Sequence, residues 1–398
     1  MRRVVTAALG GVVLAGALVG GGSVVGGALL GGGSVVGGAL LGGGSVAAGG
    51  SVLGGGSVLG AGSVLGAGSA LGGPSALGGP SALAVSRVAV FDEGPPADGP
   101  GTTILLMGID DRTLTPEELR EFHARGEACH CTDTLMLVHI SARQDRVSVL
   151  SLPRDSLARI PAHRDAGSGE WVPDHDAKIN AAYREGGAAL SVRTVEEMTG
   201  VPVDRYLQVD FRRFVDAVNL VGGVDVCTAR GIDDPATKLA LTPGTHRLDG
   251  GRSLQYVRSR KFDGAADLGR VQRQQRFLVG VLKRLQDNPV DLLRLSRTVL
   301  GSVTVDQGFK DAELVSLART LVRLAPSATE FATVPIGGFE NVPDVGSTLV
   351  WDRSRADEVF TRLREDRALT PASSSQRPSE VPEFGSYEPV RGGTMVCG

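Results

Sequence analysis

The sequence predicts a mixed α/β domain, a central β-sheet covered by helices. Three observations carry this. Short apolar runs rich in β-forming residues recur, as at 103–109, 135–140 and 147–152. Runs of helical period with one apolar face lie among them, as in FRRFVDAVNL at 211–220. The two kinds interleave along the chain, which favours a mixed sheet with helices packed on it. The 398 residues leave room for one large domain or two small ones. The chain divides into an anchor region at 1–30, a Gly/Ser/Ala-rich spacer and linker at 31–100, a folded domain at 101–365 and a tail at 366–398.

After Arg2 and Arg3 no charged residue appears until Arg87. The most apolar window, 4–19, follows this basic N-terminus as in a signal anchor. Alone it is short of the ~20 residues a spanning helix needs. Extension to Leu30 supplies them with glycine, which membrane helices tolerate. A single uncleaved span is expected, with Arg2 and Arg3 inside and the rest of the chain outside the cell membrane. The alternative is a cleaved signal peptide, since Ala15-Gly16-Ala17 is small-x-small. GGGSVVGGALL at 20–30 recurs at 31–41, and a six-residue unit of the GSVLGG type then runs over 50–85. Glycine at this density costs too much backbone entropy for a packed core, so the stretch reads as a flexible spacer. Close packing of Gly-rich membrane helices is the sharper alternative.

The folded domain follows a Pro/Gly linker at 92–101. TILLMGI at 103–109 is a strand closed by Asp110-Asp111-Arg112. A helix over 113–125 starts at Thr115-Pro116. Strands at 135–140 and 147–152 come next, the second running into Pro153-Arg154. The stretch 178–198 is helical and broken at Gly186-Gly187. A strand at 204–209, the helix at 211–220 with its stop at Gly222-Gly223, and a strand at 224–227 follow. Further helices are expected from Asp249 and at 268–287, 291–300, 312–324 and 356–365, with a late strand at 331–336. From 366 the Ser/Pro/Glu-rich composition predicts disorder.

Chemistry concentrates in two places. Arg252, Arg258, Arg260, Lys261, Arg270, Arg273 and Arg276 form a basic island in a chain of net charge −3. Arginine offers a planar fork of donors that fits phosphate oxygens two at a time. In an extended segment Arg258 and Arg260 would face the same way. Arg270, Arg273 and Gln274 share one helix face by their spacing. Both faces are expected to converge on a poly-anion such as a pyrophosphate; a solvated basic helix face is the alternative. Elsewhere three strands each carry a charged residue at one end: Asp110, Asp133 and Arg154. Two carboxylates beside an arginine suit Mg²⁺ together with phosphate, although charged strand ends are common in any case.

The blocks ILLMGIDDR, TDTLMLVHI, VSVLSLPRDS, KINAAYREGG, YLQVDFRRFVDAVNLVGGVDV, GTHRLDGGRSLQYVRSR and DLGRVQRQQRFL resemble, in this order, those of the LytR-CpsA-Psr family. The likeness covers about 102–278, with a weaker helical remainder to about 365. The Gly-rich repeats and the use of 36 Arg against 5 Lys resemble an actinobacterial form. The resemblance implies a central sheet with helices around an apolar pocket for a polyprenyl tail. It implies a membrane-anchored, outward-facing phosphotransferase that moves a glycopolymer, such as a teichoic acid or capsular polysaccharide, from a polyprenyl-pyrophosphate carrier to peptidoglycan. It further implies Mg²⁺ (or Mn²⁺) on Asp110 and Asp133, with pyrophosphate contacts from Arg154, Arg258, Arg260, Arg270 and Gln274. Asp133, Asp110 or Asp267 would take the proton of the acceptor hydroxyl; Asp267 equally suits a cap of the helix that holds Arg270. One departure stands out. Many members carry a basic residue two before the Asp-Thr, where this chain has Cys131, so that phosphate contact is absent or supplied by Arg112 or Lys178.

Four cysteines allow three pairings, and an exported domain permits disulfides. Cys129 and Cys131 are too close to bond each other comfortably, so one of them is expected to bond Cys227 and Cys397 to be free. Cys129-His130-Cys131 does not have zinc-ligand spacing, and neither do His123, His139, His163, His175 and His246. Two other functions compete. A DNA-binding regulator needs a basic reading helix, whereas this domain follows an export segment and is net acidic; no nucleic-acid partner is expected. A wall protein that binds lipid-linked polymer without turnover fits the departure at Cys131.

Overall fold

The computed structural model describes residues 85–91, 99–110, 114–124, 130, 132–260, 266–287, 303–370 and 388–396. The expected anchor, the Gly-rich repeats, Arg112, Cys129, Cys131, Cys397 and the helix expected at 291–300 lie outside the described residues. No helix among the described residues is long and apolar enough to cross a membrane.

Eight strands make the central sheet: β1 (Ser86–Val88), β2 (Thr102–Ile109), β3 (Thr132–Ile140), β4 (Val147–Leu152), β5 (Arg205–Asp210), β6 (Thr304–Asp306), β7 (Thr329–Thr333) and β8 (Val390–Arg391). Their order across the sheet is β1-β6-β5-β2-β3-β4-β7-β8. The pairs β1–β6, β5–β2 and β4–β7 are parallel and the others antiparallel. The sheet is therefore mixed, as the interleaved elements predict.

Side chains alternate across β2 and set the two cores. Leu105, Met107 and Ile109, all wholly buried, pack with α2 (Ala181–Thr199) and a C-terminal helix, Arg353–Arg364. Ile104 and Leu106 point to the opposite face, towards the long helix Ala266–Asp287 and the helix Asp311–Arg323. In chain order the helices are α1 (Pro116–Glu121), α2, α3 (Phe211–Leu220), α4 (Gly250–Arg258), α5 (Ala266–Asp287), α6 (Asp311–Arg323) and α7 (Arg353–Arg364). Their starts follow local chemistry. Thr115 and Glu118 form a capping box on α1, Asp210 caps α3 and Asp249 caps α4. Each such cap contributes about 1 kcal/mol. Gly187 at φ +65 breaks α2 where the sequence predicts it. Gly250 lets α4 close on α3, since a Cβ there would sit 2.3 Å from the Val215 carbonyl oxygen.

Several expectations are corrected. Strand β3 begins at Thr132, not 135, so Asp133 lies within it. The α4 helix runs to Arg258, so Arg258 is helical and not part of an extended segment with Arg260. The late strand divides into β7 and a separate hairpin of Ile336–Val342 with Gly346–Trp351. A ribbon pairing Leu157–Ile160 with His175–Lys178 was not expected, because such short strands carry no hydrophobic period of their own. Ser86–Val88, placed in the spacer, is an edge strand. The tail returns to the fold as well: Val390 and Met395 are buried beside Phe331, and Glu330 accepts from the Leu369 N–H at 2.8 Å. Val390, Met395 and Val396, scattered in a mostly polar stretch, leave no period from which this could be read.

Candidate active site

The sheet register brings the charged strand ends together. Ile109 pairs with Thr132 on β3 and with Asp210 on β5, while Leu135 pairs with Leu152 on β4. Asp110, Asp133 and Arg154 therefore share one edge of the sheet, with Asp210. Gly108 pairs with Thr134 and Ile109 with Thr132, so Asp133 is the extra residue of a β-bulge. Bulges commonly re-aim a side chain beside a site.

Asp133 is the centre of an ion network. Arg154 hydrogen-bonds its Oδ1, and Arg270 lies 3.6 Å from the same oxygen. Asp267 joins from the first turn of α5: its Oδ1 is 3.0 Å from Arg270, 3.6 Å from Arg260 and 3.9 Å from Arg154. Two carboxylates are thus held by the same two guanidinium groups. At the rim, Asp155 lies 3.6 Å from Arg154 and accepts the Lys178 ammonium at 3.0 Å. Nε of Arg154, Nε of Arg270 and Oδ1 of Asp267 are buried, ion-paired and without a hydrogen-bond partner. The two Nε groups are donors that the site's own carboxylates leave unused, while Oδ1 of Asp267 is an acceptor held by ion pairs alone.

Next to this network lies a cavity of about 260 Å³. Asp133, Arg258, Arg270 and Gln274 line it together with apolar side chains from β2, β5, α3 and α5. Along α5 its lining residues are Arg270, Gln274, Phe277, Leu278, Val281 and Leu285. That spacing is a single helix face, polar at its start and apolar for the rest. From Arg270 to Leu285 the helix rises roughly 22 Å. Phe211, Phe214 and Val218, the apolar face of α3, form the facing wall. The geometry suits an amphiphile with a multiply charged anionic head and a long apolar tail.

The family model LytR_cpsA_psr matches residues 85–365. The chain belongs to the LytR-CpsA-Psr family. Among curated members it is 34% identical over 275 residues to the probable cell wall biosynthesis protein LcpB of Corynebacterium glutamicum, a match covering 67% of this chain and 62% of that protein. It is 33% identical to the polyisoprenyl-teichoic acid–peptidoglycan teichoic acid transferase TagT of Bacillus subtilis, over 50% of this chain and 56% of that one. This chain thus spans less than two thirds of the length of both. Among solved structures, B. subtilis TagV superposes with a TM-score of 0.53 at 25% identity, covering 68% of this chain and all of that one. TagT bound to LIIa-WTA superposes at 0.52 and 26%, over 70% and 99%.

Within this LytR-CpsA-Psr fold the expected site residues gather closely. Asp133, Arg154, Arg260 and Arg270 are in ion-pair contact through shared carboxylates, and Arg258 and Gln274 line the adjoining cavity. The Arg258 guanidinium sits over the Phe211 ring, 4.9 Å from its centre, and the Gln274 amide donates to the Val257 carbonyl at 3.3 Å. Lys178 stands at the rim on Asp155, and Asp110 is buried at the same sheet edge. Arg273 departs from its expected face: it is wholly buried and donates to the Ser259 carbonyl. Asp267 is the residue whose part is larger than its sequence reading. It lies in the first turn of α5, and its i, i+3 spacing to Arg270 was the available signal. Cys227 is disulfide-bonded; its expected partners, Cys129 and Cys131, lie outside the described residues.

The electrostatics follow from burial and neighbours. Burial pushes the Asp133 carboxyl up, but Arg270, Arg154, Arg258 and Arg260 outweigh it and hold it below the usual carboxylate range. Burial lowers Arg154, and Asp133, Asp155 and Asp267 more than compensate, so its pKa is raised. For Arg270 burial dominates and the pKa is lowered. Because the folded-state value of Asp133 is depressed, its ionised form contributes stability above the unfolded carboxyl value of about 3.9. That contribution is lost as pH falls through the lower folded value. The difference in urea midpoint between wild type and Asp133→Asn should be constant from pH 8 to 5 and shrink below about pH 4.

Hard carboxylate oxygens at Asp133 and Asp110 are the right chemistry for Mg²⁺. Among the described residues no three His, Cys, Asp or Glu side chains already surround one ion-sized point.

Proposed function

We propose that this chain is a membrane-anchored, extracytoplasmic phosphotransferase that moves a glycopolymer from a polyprenyl-pyrophosphate carrier onto peptidoglycan. One observation carries the reading: a single helix face runs from the arginine cluster into the apolar cavity. A polyprenyl tail lies along Phe277, Leu278, Val281 and Leu285. The diphosphate sits among Arg154, Arg258, Arg260 and Arg270, with the Gln274 amide beside it and Lys178 at the rim. The names of the relatives as teichoic acid transferases support the same chemistry. The anchor at 1–30 would keep the domain beside the lipid carrier.

Phosphoryl transfer needs positioning and charge neutralisation more than an elaborate nucleophile. A sugar hydroxyl of peptidoglycan attacks the phosphorus that bears the glycan. The bond from that phosphorus to the bridging oxygen breaks, and its electron pair leaves with polyprenyl phosphate. The arginines balance the charge on both phosphates and hold them in line with the incoming oxygen. Asp133, kept ionised by four arginines, suits charge positioning better than proton uptake, and Asp267, the site carboxylate that would not hold the metal ion, would accept the hydroxyl proton. Asp110 and Asp133 would hold Mg²⁺, which when bound neutralises phosphate oxygens.

Mass measurement of lipid extracted from the full chain purified in mild detergent should find polyprenyl phosphate or pyrophosphate. Incubation with a polyprenyl-pyrophosphate-linked oligosaccharide and Mg²⁺ should release polyprenyl phosphate. Tight lipid binding without release would favour the binding-only wall protein, and neither would reject both readings. Asp133→Ala should raise the Mg²⁺ concentration for half-maximal release by about tenfold or more, the size of effect typical for lost metal-site contacts. An unchanged titration would remove Asp133 from the ion.

A further inference from the structure

We infer that Phe339 is the acceptor platform of this site, an exposed ring on the Arg154 side of the arginine cluster on which a sugar of the acceptor glycan stacks. The inference rests on the transferase reading and extends it to the second substrate.

In phosphoryl transfer the attacking and leaving oxygens lie roughly in line across phosphorus. The leaving lipid occupies the cavity, whose sheet walls come from β5, β2 and β3. The acceptor must therefore approach from beyond the arginine cluster, on the side away from that cavity. Across the sheet, that side begins at the end of β4 with Arg154.

The next residues outward are fixed by hydrogen bonds. The Leu349 N–H donates to the Asp155 carbonyl at 2.9 Å, and Leu349 forms a parallel bridge with Ser156. The Trp351 indole N–H donates to the Ser156 hydroxyl at 2.8 Å, which locks the hairpin strand Gly346–Trp351 to the residues following Arg154. Phe339 is the direct cross-strand partner of Leu349. Two strand spacings thus separate Phe339 from Ser156, about 10 Å, which is the span of a short piece of glycan.

The side chain itself is unusual for its place. Phe339 is 74% exposed on a two-stranded hairpin that packs its other aromatic, Trp351, inside. A register shift between Ile336 and Gly338 immediately precedes it, and such bulges turn the following side chain. The next pair on its face of the hairpin, Asn341 with Ser347, is exposed, polar and uncharged, a setting suited to hydroxyl-rich rings more than to a polyanion. Single exposed apolar residues are ordinary on surfaces. Among the described residues the other two large ones lie elsewhere: Leu220 ends α3, and Trp171 pairs with Arg164 in a separate short two-stranded pair. Of the three, Phe339 is the one on the hairpin that is hydrogen-bonded to Asp155 and Ser156, the residues that follow Arg154.

The test follows one donor into two products. The full chain in detergent is given a polyprenyl-pyrophosphate-linked oligosaccharide with increasing uncrosslinked peptidoglycan glycan, and product on glycan is measured against product on water. In Phe339→Ala the ratio of glycan product to water product should fall about fivefold to tenfold, the scale of one lost aromatic stacking contact. Phe339→Trp should restore it, and Trp171→Ala should leave it at the wild-type value. An unchanged ratio in Phe339→Ala, or an equal fall in Trp171→Ala, overturns the proposal. If the wild type releases no polyprenyl phosphate at all, the transferase reading fails separately. Calorimetric binding of the same glycan to wild type and Phe339→Ala then decides the platform, equal affinity overturning it.

Discussion

Replacing Arg270 with alanine is expected to lower polymer transfer by about 10³-fold or more. An arginine that stabilises charge on a transferring phosphoryl group is worth roughly 10³–10⁵ in rate. Arg270 is one of the two guanidinium groups that contact both site carboxylates, at 3.6 Å for Asp133 and 3.0 Å for Asp267. Its side chain is only 3% exposed, so its removal also leaves two nearly buried carboxylates short of a partner. Breaking a buried pair in this way costs about 3–5 kcal/mol of stability. Thermal melting must therefore accompany the assay. Arg260→Ala separates the effects, because Arg260 is 40% exposed and pairs only at the edge of the network. That variant should melt close to wild type and still lose most of its transfer. Normal transfer in Arg260→Ala would remove it from the phosphate site. Normal transfer in a folded Arg270→Ala protein would defeat the whole arrangement.

Filling the cavity should be nearly as damaging, and without touching a charge. Ala217 lies on α3 among the lining residues. Ala217→Trp projects an indole into space that is otherwise about 260 Å³ of cavity, so overpacking costs less here than in a filled core. If the indole displaces about five methylene-equivalents of lipid, at about 0.8 kcal/mol each the loss approaches 4 kcal/mol, or about 10³ in affinity. Polyprenyl lipid should vanish from the purified protein while its melting temperature stays within a few degrees. Retention of bound lipid would move the tail to another surface.

Much of this was legible in the residues. The helix at 211–220, the break at Gly186-Gly187 and the strand at 147–152 each carry a strong local signal, a period or a glycine pair, and each lies where the sequence places it. Arg270 and Gln274 were readable from their helical spacing, and Arg154 from its position after a strand. What the sequence hid depends on distant partners. The bulge at Asp133 exists only in the register of β2 against β3. The role of Asp267 requires Arg154 and Arg260 to arrive from other elements. The strand at Val390–Arg391 forms because Glu330 and Phe331 offer an unpaired edge, not because its own residues demand it.

The single long helix α5 has a consequence of its own. On the proposed reading, headgroup ligands and tail ligands sit on one stiff rod, so they cannot drift relative to each other. It works as a ruler with its zero mark at Arg270. Carriers of different chain length would all be read from the same origin, with any excess isoprene passing beyond Leu285, so a shortened synthetic carrier should present its phosphorus in the same position as the natural one.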